Sequence, residues 1–369
     1  MDRPHDFART REAITTALDR HTASLAAVAI LYRGRVVLDQ HLGSAPLHGE
    51  GRPLHLWMSA GKAVTAVLVV QAWEEGLLEL DDRVVEFVPE FAPGGKDRIT
   101  LRHLLTHTSG IRLPSLPWPA AGWEGTVAAI CASRLEPRWE LGRTAGYHMA
   151  SSWFILGEVL QRIHQLPFSE LVRKRLFLPL GCDDCWIGEP PDLDRWLERV
   201  QPMWDSSVSP WQPLEATTAN RLATANPGAN GIGPISQLAR VWELLRRGGE
   251  LDGIRVLSPQ GAEVLLARQR VGQVDRTFRV PLDWGLGVIP NSARRPEDAA
   301  DLPYHYGPWA SPRAVGHSGN RSSVAFCDPE HQLTVGLWWN ALAAEGDHRA
   351  RTNAVLGAVY EDLGLARTD

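Results

Sequence analysis

Strand patterns crowd the two ends of this chain, and residues 77–230 carry few β-branched runs. Near the start, Ala27–Tyr32 and Val36–Leu42 read as two strands joined at Arg33-Gly34, a hairpin signal. From Asp283 onward, Trp284–Ile289, Arg313–His317, Ser322–Cys327 and Leu333–Asn340 read as strands. Between them lie helical patches (Thr100–His107, Thr126–Arg134, Ser151–His164, Phe168–Phe177) separated by Pro- and Gly-rich loops. Further helices are expected at 6–22, Ile235–Arg247 and His348–Leu363. The order predicts an α+β fold: an antiparallel sheet flanked by helices and built from both chain ends, with a mostly helical inserted domain. The boundaries are 1–76 with 231–369 for the sheet domain and 77–230 for the helical one. A cleft is expected where the two meet.

One helix in the first part is apolar nearly all round. Trp57-Met-Ser-Ala-Gly-Lys-Ala-Val-Thr-Ala-Val-Leu-Val-Val70 has no polar face, so it is enclosed by other layers. Gly76 is a stop signal. Ser59 and Lys62 are three residues apart and share a face on the first turn. A serine hydroxyl is a weak nucleophile until a base takes its proton, and a desolvated lysine can be that base. The helix start adds unpaired N–H groups that favour developing negative charge. The plainer reading is a serine N-cap followed by a solvated lysine.

The formal net charge of −5 over 369 residues, with no basic stripe, excludes a nucleic-acid binder. Four cysteines are too few for a disulfide scaffold, and Cys182-Asp-Asp-Cys185 has no second pair to complete a metal site. No metal and no cofactor are expected. The N-terminal stretch shows no apolar leader region and no apolar run is long enough to span a bilayer, so a soluble, cytoplasmic protein with no membrane partner is expected. Six of the fifteen tryptophans (Trp118, Trp123, Trp139, Trp204, Trp211, Trp309) lie in or near Pro-rich stretches; they serve packing or line an aromatic pocket.

A nucleophilic Ser59 needs a second proton-handling group and an oxyanion hole. Tyr147 precedes a helix, where a phenol beside an ammonium would relay protons; alternatively it packs at the helix start. His317 ends a strand among small residues that let a substrate approach the backbone; alternatively it is an ordinary strand histidine. Two other arrangements are weaker. Gly316-His-Ser-Gly-Asn320 half-resembles a nucleophile elbow with Ser318 as nucleophile, but the fifth residue is not glycine and no helix follows. His103 and His107 have i, i+4 spacing for a metal but lack the intervening glutamate, which favours structural histidines.

Ser59-Ala-Gly-Lys62, Tyr147-His-Met149 and His317-Ser-Gly319 together resemble, in order and spacing, the three boxes of the serine β-lactamase and penicillin-binding-protein superfamily. The nearest branch is the class C β-lactamases with their esterase and transacylase relatives. Ile99–Gly110 and Leu178-Pro-Leu-Gly181 are similar to further segments of that branch. The resemblance covers nearly the whole chain and implies that Ser59 is acylated with Lys62 as base, Tyr147 assists proton transfer, and His317 positions substrate or tunes Tyr147. It implies an oxyanion hole from the N–H groups of Ser59 and Asn320, and substrate contacts from His148, Ser318, Gly319 and Asn340.

Two departures stand out. Met149 occupies the place where β-lactamases have asparagine, and a thioether cannot replace an amide's donors and acceptor. Lys62 thus lacks an expected partner, which His148 or Ser151 would have to replace. His317 replaces a lysine whose permanent charge would attract a β-lactam carboxylate. Both departures, and the expected cytoplasmic location, point away from antibiotic resistance. The expectation is an esterase or transacylase acting on a small-molecule acyl donor, with water or an amine or alcohol as acceptor. The resemblance places such enzymes in specialised metabolism, including statin side-chain transfer and capuramycin-type antibiotic biosynthesis. The alternatives are a genuine β-lactamase or D-amino-acid peptidase, and a non-catalytic scaffold.

Overall fold

The structure is a computed structural model that describes residues 5–113, 115–293, 295, 298 and 302–366. Residues 1–4 of the stretch read as lacking a leader lie outside the described residues. Strand β1 (Leu25–Tyr32) is buried at every position. Strand period sends Leu25, Ala27, Ala29 and Leu31 to one core and Ala26, Val28, Ile30 and Tyr32 to another. A strand covered on both faces needs no polar alternation, which is why its sequence is one apolar run.

The chain opens with α1 (Ala8–Asp19), then β1, β2 (Arg35–Gly43), β3 (His55–Leu56) and α2 (Lys62–Glu74). The helical stretch contributes α3 (Leu101–Leu105), α4 (Gly122–Ala132), α5 (Ser151–His164), α6 (Phe168–Val172), α7 (Leu193–Arg199) and α8 (Ala219–Ala223), with short strands β4 (Trp204–Asp205) and β5 (Gln212–Pro213). After β6 (Ile232–Gly233) come α9 (Ile235–Arg246), the β7–β8 hairpin (Glu250–Leu251, Ile254–Arg255) and α10 (Pro259–Leu266). The chain closes with β9 (Ile289–Pro290), β10 (Val315–Gly319), β11 (Ser323–Asp328), β12 (Leu333–Trp339), β13 (Ala341–Leu342) and α11 (Glu345–Asp362).

The main sheet runs β2-β1-β12-β11-β10-β9. Every pairing is antiparallel, with Ala26 opposite Trp339 and Tyr32 opposite Leu333 across the seam between the chain ends. The fold is therefore α+β with an antiparallel sheet flanked by helices. Helices α1 and α11 pack together beside one face, while α9 covers the other at β1, β11 and β12. There Gly336 meets α9 closely: a Cβ would lie 2.9 Å from the Ile235 carbonyl oxygen. Helix α2 is buried from Lys62 to Ala72, and its apolar neighbours belong to one core running from the sheet into α4, α5 and α6. The chain leaves α2 through Gly76 in the left-handed region, where its N–H reaches Trp73 and that of Leu77 reaches Ala72. Among the described residues no helix is long and apolar enough to cross a membrane.

One local expectation is corrected. Trp284–Ile289 is not a strand: Trp284 makes an isolated bridge to Arg270, and the chain turns at Gly285 and Gly287 before β9. The Gly287 N–H binds the Leu105 carbonyl at 3.0 Å, and a side chain there would strike Trp153. The 77–230 stretch also supplies β4 and β5 to a three-stranded sheet with β13, pairing β13 with β4 in parallel. Those strands are two residues long, too short to leave a periodic pattern.

Candidate active site

Ser59 lies on a 3-10 turn, Met58–Gly61, placed by β3 just before α2 begins at Lys62. The turn is fastened on both sides. The Trp57 N–H donates to the Gly231 carbonyl, its indole to the Gly233 carbonyl at 2.9 Å, and Ser323 Oγ donates to the Trp57 carbonyl at 2.6 Å. Met58 has φ +51°, a left-handed conformation that costs a non-glycine residue about 1–2 kcal/mol. Ser59 remains partly exposed while Lys62 is fully buried.

Lys62 Nζ lies 3.0 Å from Ser59 Oγ and 2.8 Å from the Met149 carbonyl, and also contacts the Gly228 carbonyl. Burial holds its pKa well below the usual lysine value. A neutral amine has two N–H groups and one lone pair. The two carbonyls accept those N–H groups, which leaves the lone pair for the Ser59 hydroxyl proton. Tyr147 donates to Ser59 Oγ at 2.8 Å, and burial pushes its pKa up, so it stays a phenol. As arranged, Ser59 Oγ accepts from Tyr147 Oη and from Lys62 Nζ; once deprotonated, the amine can turn its lone pair to the serine proton.

The carbonyls facing Lys62 are themselves positioned. The Gly228 N–H donates to Asn226 Oδ1 at 3.1 Å, Thr65 Oγ1 to the Pro227 carbonyl at 2.8 Å, and the Asn226 N–H to Asn230 Oδ1 at 2.8 Å. Tyr147 is held through its backbone by Asp275 Oδ1 at 3.1 Å, and Asp275 pairs with Arg270 at 3.1 Å, both fully buried. None of these residues sits in a recognisable motif. Asp275 and Arg270 lie among ordinary loop residues, and only the fold brings them under Tyr147.

His317 is fully buried beside Tyr147, with ring centroids 6.1 Å apart. Its Nδ1 lies 2.8 Å from the Ser318 carbonyl, which can only accept, so Nδ1 carries the proton. Nε2 is then a bare acceptor, buried without a partner. Burial, reinforced by Lys62, lowers the His317 pKa to about 3, so the ring is neutral. Trp284, Tyr304, Phe278 and His107 complete an aromatic wall around Tyr147. Tyr304 went unnoticed in the sequence because nothing in Leu302-Pro-Tyr-His-Tyr306 signals a site.

Three sequence expectations change. His148 is buried away from substrate: its N–H donates to His107 Nδ1 at 3.0 Å, and its ring stacks on His107. It does not replace the missing asparagine, and neither does Ser151, whose hydroxyl caps the Ile111 carbonyl. The Met149 backbone carbonyl does so, while the Met149 side chain is 55% exposed. Asn340 is consumed structurally: Oδ1 accepts from the N–H groups of Ser24 and Leu25, and Nδ2 donates to Ser24 Oγ. A short side chain at a strand end satisfies the start of β1 with its carbonyl oxygen and one amide N–H.

Other readings resolve as well. Ser318 lies within β10 and is followed by a turn into β11, not a helix. His103 caps α3 and His107 points into the Tyr147 wall, so the pair does not converge. The Cys182 and Cys185 thiols are buried and donate to Gln237, which fastens that turn to α9. Trp118, Trp123 and Trp139 each donate an indole N–H to a nearby carbonyl or carboxylate, consistent with packing.

Asn320 is exposed at the turn where β10 ends against the Ser59 loop. The close approach rests on Gly319: a Cβ there would lie 2.4 Å from the Trp57 carbonyl oxygen and 2.7 Å from Met58 Cβ. Gly319→Ala is expected to push the end of β10 off the Ser59 turn and lower kcat by roughly 10²-fold, the scale of a lost oxyanion donor. Steady-state kinetics beside a circular-dichroism melt check this; unchanged kcat would show that the strand end plays no part.

A serine on a buried frame, within hydrogen-bond reach of a desolvated lysine and a phenol, fits the class of serine-dependent acyl-transfer proteins. The sequence profile of the Beta-lactamase family matches residues 10–360, and the chain belongs to that family. It is 29% identical to Esterase EstB of Burkholderia gladioli over 96% of this chain and 95% of the relative. A family VIII carboxylesterase structure superposes with TM-score 0.78 at 28% identity, covering 96% of this chain and 97% of that one. A penicillin-binding-protein homologue from Caulobacter crescentus gives TM-score 0.80 at 27% identity, covering 96% and 97%. The protein is a serine hydrolase or acyltransferase.

Proposed function

We propose that this enzyme carries an acyl group on Ser59, taken from a small-molecule ester or amide and passed to water or to an amine or alcohol. The observation that carries the reading is the directed set of contacts at Ser59 Oγ: 3.0 Å to the Lys62 amine and 2.8 Å from the Tyr147 phenol. Lys62 takes the serine proton as the acyl carbon–oxygen bond forms. Tyr147, protonated by virtue of burial, gives its proton to the leaving group. The N–H groups of Ser59 and Asn320 receive the oxyanion. Ser318 and Gly319 line the substrate's path along β10.

The esterase reading is supported by the names of the relatives and by the chemistry of the rim. His317 is neutral and Met149 is an exposed thioether, so neither supplies the charge or amide contacts a β-lactam carboxylate and side-chain amide would use. Uncharged esters fit better than β-lactams. A place in specialised metabolism and a cytoplasmic location belong to the same proposal, as does the absence of a cofactor, a nucleic-acid partner or a membrane partner. Water competes with organic acceptors according to how far the bound acceptor excludes it.

A fluorophosphonate probe tests the assignment. Intact-mass analysis is expected to show one adduct on the wild type and none on Ser59→Ala. An adduct of equal yield on both proteins would end it. Product analysis with added amines and alcohols then divides transacylase from esterase.

A further inference from the structure

The Tyr147 phenol meets Ser59 Oγ and the Met149 carbonyl meets Lys62 Nζ, so two contacts of the site hang on residues 146–149. Three successive N–H groups of that stretch are held from outside it. The Tyr147 N–H donates to Asp275 Oδ1 at 3.1 Å. Those on either side go to a single residue. The Gly146 N–H donates to the His107 carbonyl at 3.1 Å, and the His148 N–H donates to His107 Nδ1 at 3.0 Å. The His107 ring also lies against Tyr147, with centroids 4.9 Å apart, and is T-shaped to Trp284 at 4.7 Å.

His107 has φ +56°, a left-handed conformation that histidine adopts more readily than most side chains. With that backbone, its carbonyl and its ring both meet the same stretch. Nδ1 accepts a backbone N–H, so it carries no proton, and the ring proton sits on Nε2. His148 Nδ1 lies 3.1 Å from the same nitrogen and is therefore the donor of that pair. A proton on His107 Nδ1 would face two other N–H groups. Both rings are fully buried, and burial lowers the pKa of each.

Resting on the Ser59 reading above, we propose that His107 is a positioning residue for both proton-handling groups: its carbonyl and its bare Nδ1 hold the backbone on either side of Tyr147, and with it the Met149 carbonyl that faces Lys62. His107 acts through what it holds. Displacement of 146–149 moves the phenol and the carbonyl together, and with them the 2.8 Å contact on Ser59 Oγ and the 2.8 Å contact on Lys62 Nζ. A misplacement of about 1 Å at a reacting centre costs roughly 10²-fold in rate.

The test puts an acceptor at the Nδ1 position and then away from it. Asparagine Oδ1 branches from the same side-chain atom as histidine Nδ1, and asparagine accepts a left-handed backbone. Glutamine carries the same amide one carbon further out. Rates are taken per Ser59 titrated with the fluorophosphonate, so unfolded molecules do not count. His107→Asn is expected to stay within about fivefold of the wild-type kcat, and His107→Gln to lose roughly 10²-fold in kcat with KM changed by less than about threefold. His107→Gly suits the left-handed backbone and has no acceptor; it is expected to share the loss, which excludes backbone strain as the cause. A glutamine or glycine variant as active as the asparagine one, an asparagine variant as impaired as they are, or a change confined to the melting temperature would overturn the proposal. A variant with no titratable Ser59 counts as fully impaired. Failure of the Ser59 reading looks different: the wild type itself would carry no fluorophosphonate adduct at Ser59.

Discussion

Lys62→Met is expected to lower the acylation rate by roughly 10²–10⁴-fold, the range for a lost general base. Methionine is unbranched, one heavy atom shorter than lysine and suits a fully buried position, so the change removes the amine with a modest loss of volume. It leaves the Met149 and Gly228 carbonyls without their N–H donor, which adds a stability cost of about 1–3 kcal/mol for each unsatisfied group. The pH profile separates base catalysis from this structural cost. In the proposed role Lys62 acts as the free amine, and burial lowers its folded pKa. Wild-type activity is therefore present above that pKa and falls as pH drops through it. His148 and His317 have pKa values near 3, and His107 is held well below the ordinary histidine value. These rings are held below the ordinary histidine range, so if Lys62 is the base proposed above, an acidic limb of kcat/KM is expected to follow it, and the methionine variant is expected to lose that limb. A variant that kept the limb with wild-type shape would assign the base to another group.

Asp275→Ala is expected to destabilise the protein by about 3–5 kcal/mol, because it strands the buried Arg270 guanidinium without its partner. The same change frees the Tyr147 N–H, which Asp275 Oδ1 holds at 3.1 Å, and the Thr277 N–H at 2.9 Å. Activity and stability should then separate in a double variant. Asp275→Leu with Arg270→Met removes both charges and is expected to regain much of the stability in urea unfolding. It is not expected to regain the rate, since the Tyr147 backbone still lacks an acceptor. Full recovery of both would show that the ion pair stabilises the loop without aiming the phenol.

The legible parts of the site were those in which the chemistry needs a fixed local spacing. Ser59 and Lys62 share a helical turn, so three residues of separation state their relation. Their partner Tyr147 could be named from its box, but its donation to Ser59 Oγ is a contact across 88 positions that no local pattern encodes. Where a box departed from pattern, side-chain reasoning looked for a side-chain substitute at Met149. The substitute is a backbone carbonyl, a group every residue carries and no sequence advertises. Asn340 failed for a related reason: an amide at a strand end serves β1 as readily as a substrate, and only the register decides.

Amino-acid order alone determined the two-ended antiparallel sheet, the enclosed helix after the serine, and the chemical types gathered at the site, because periodicity and short spacing are local properties. Tertiary structure decided how far each of these groups is desolvated and which partners it meets. Burial lowers the pKa of Lys62 and of His317 and raises that of Tyr147. The contacts that orient them (the Gly228 carbonyl, and Asp275 with Arg270) come from loops far apart in the chain. Desolvation and long-range placement are sums over the whole fold, and no window of sequence contains them.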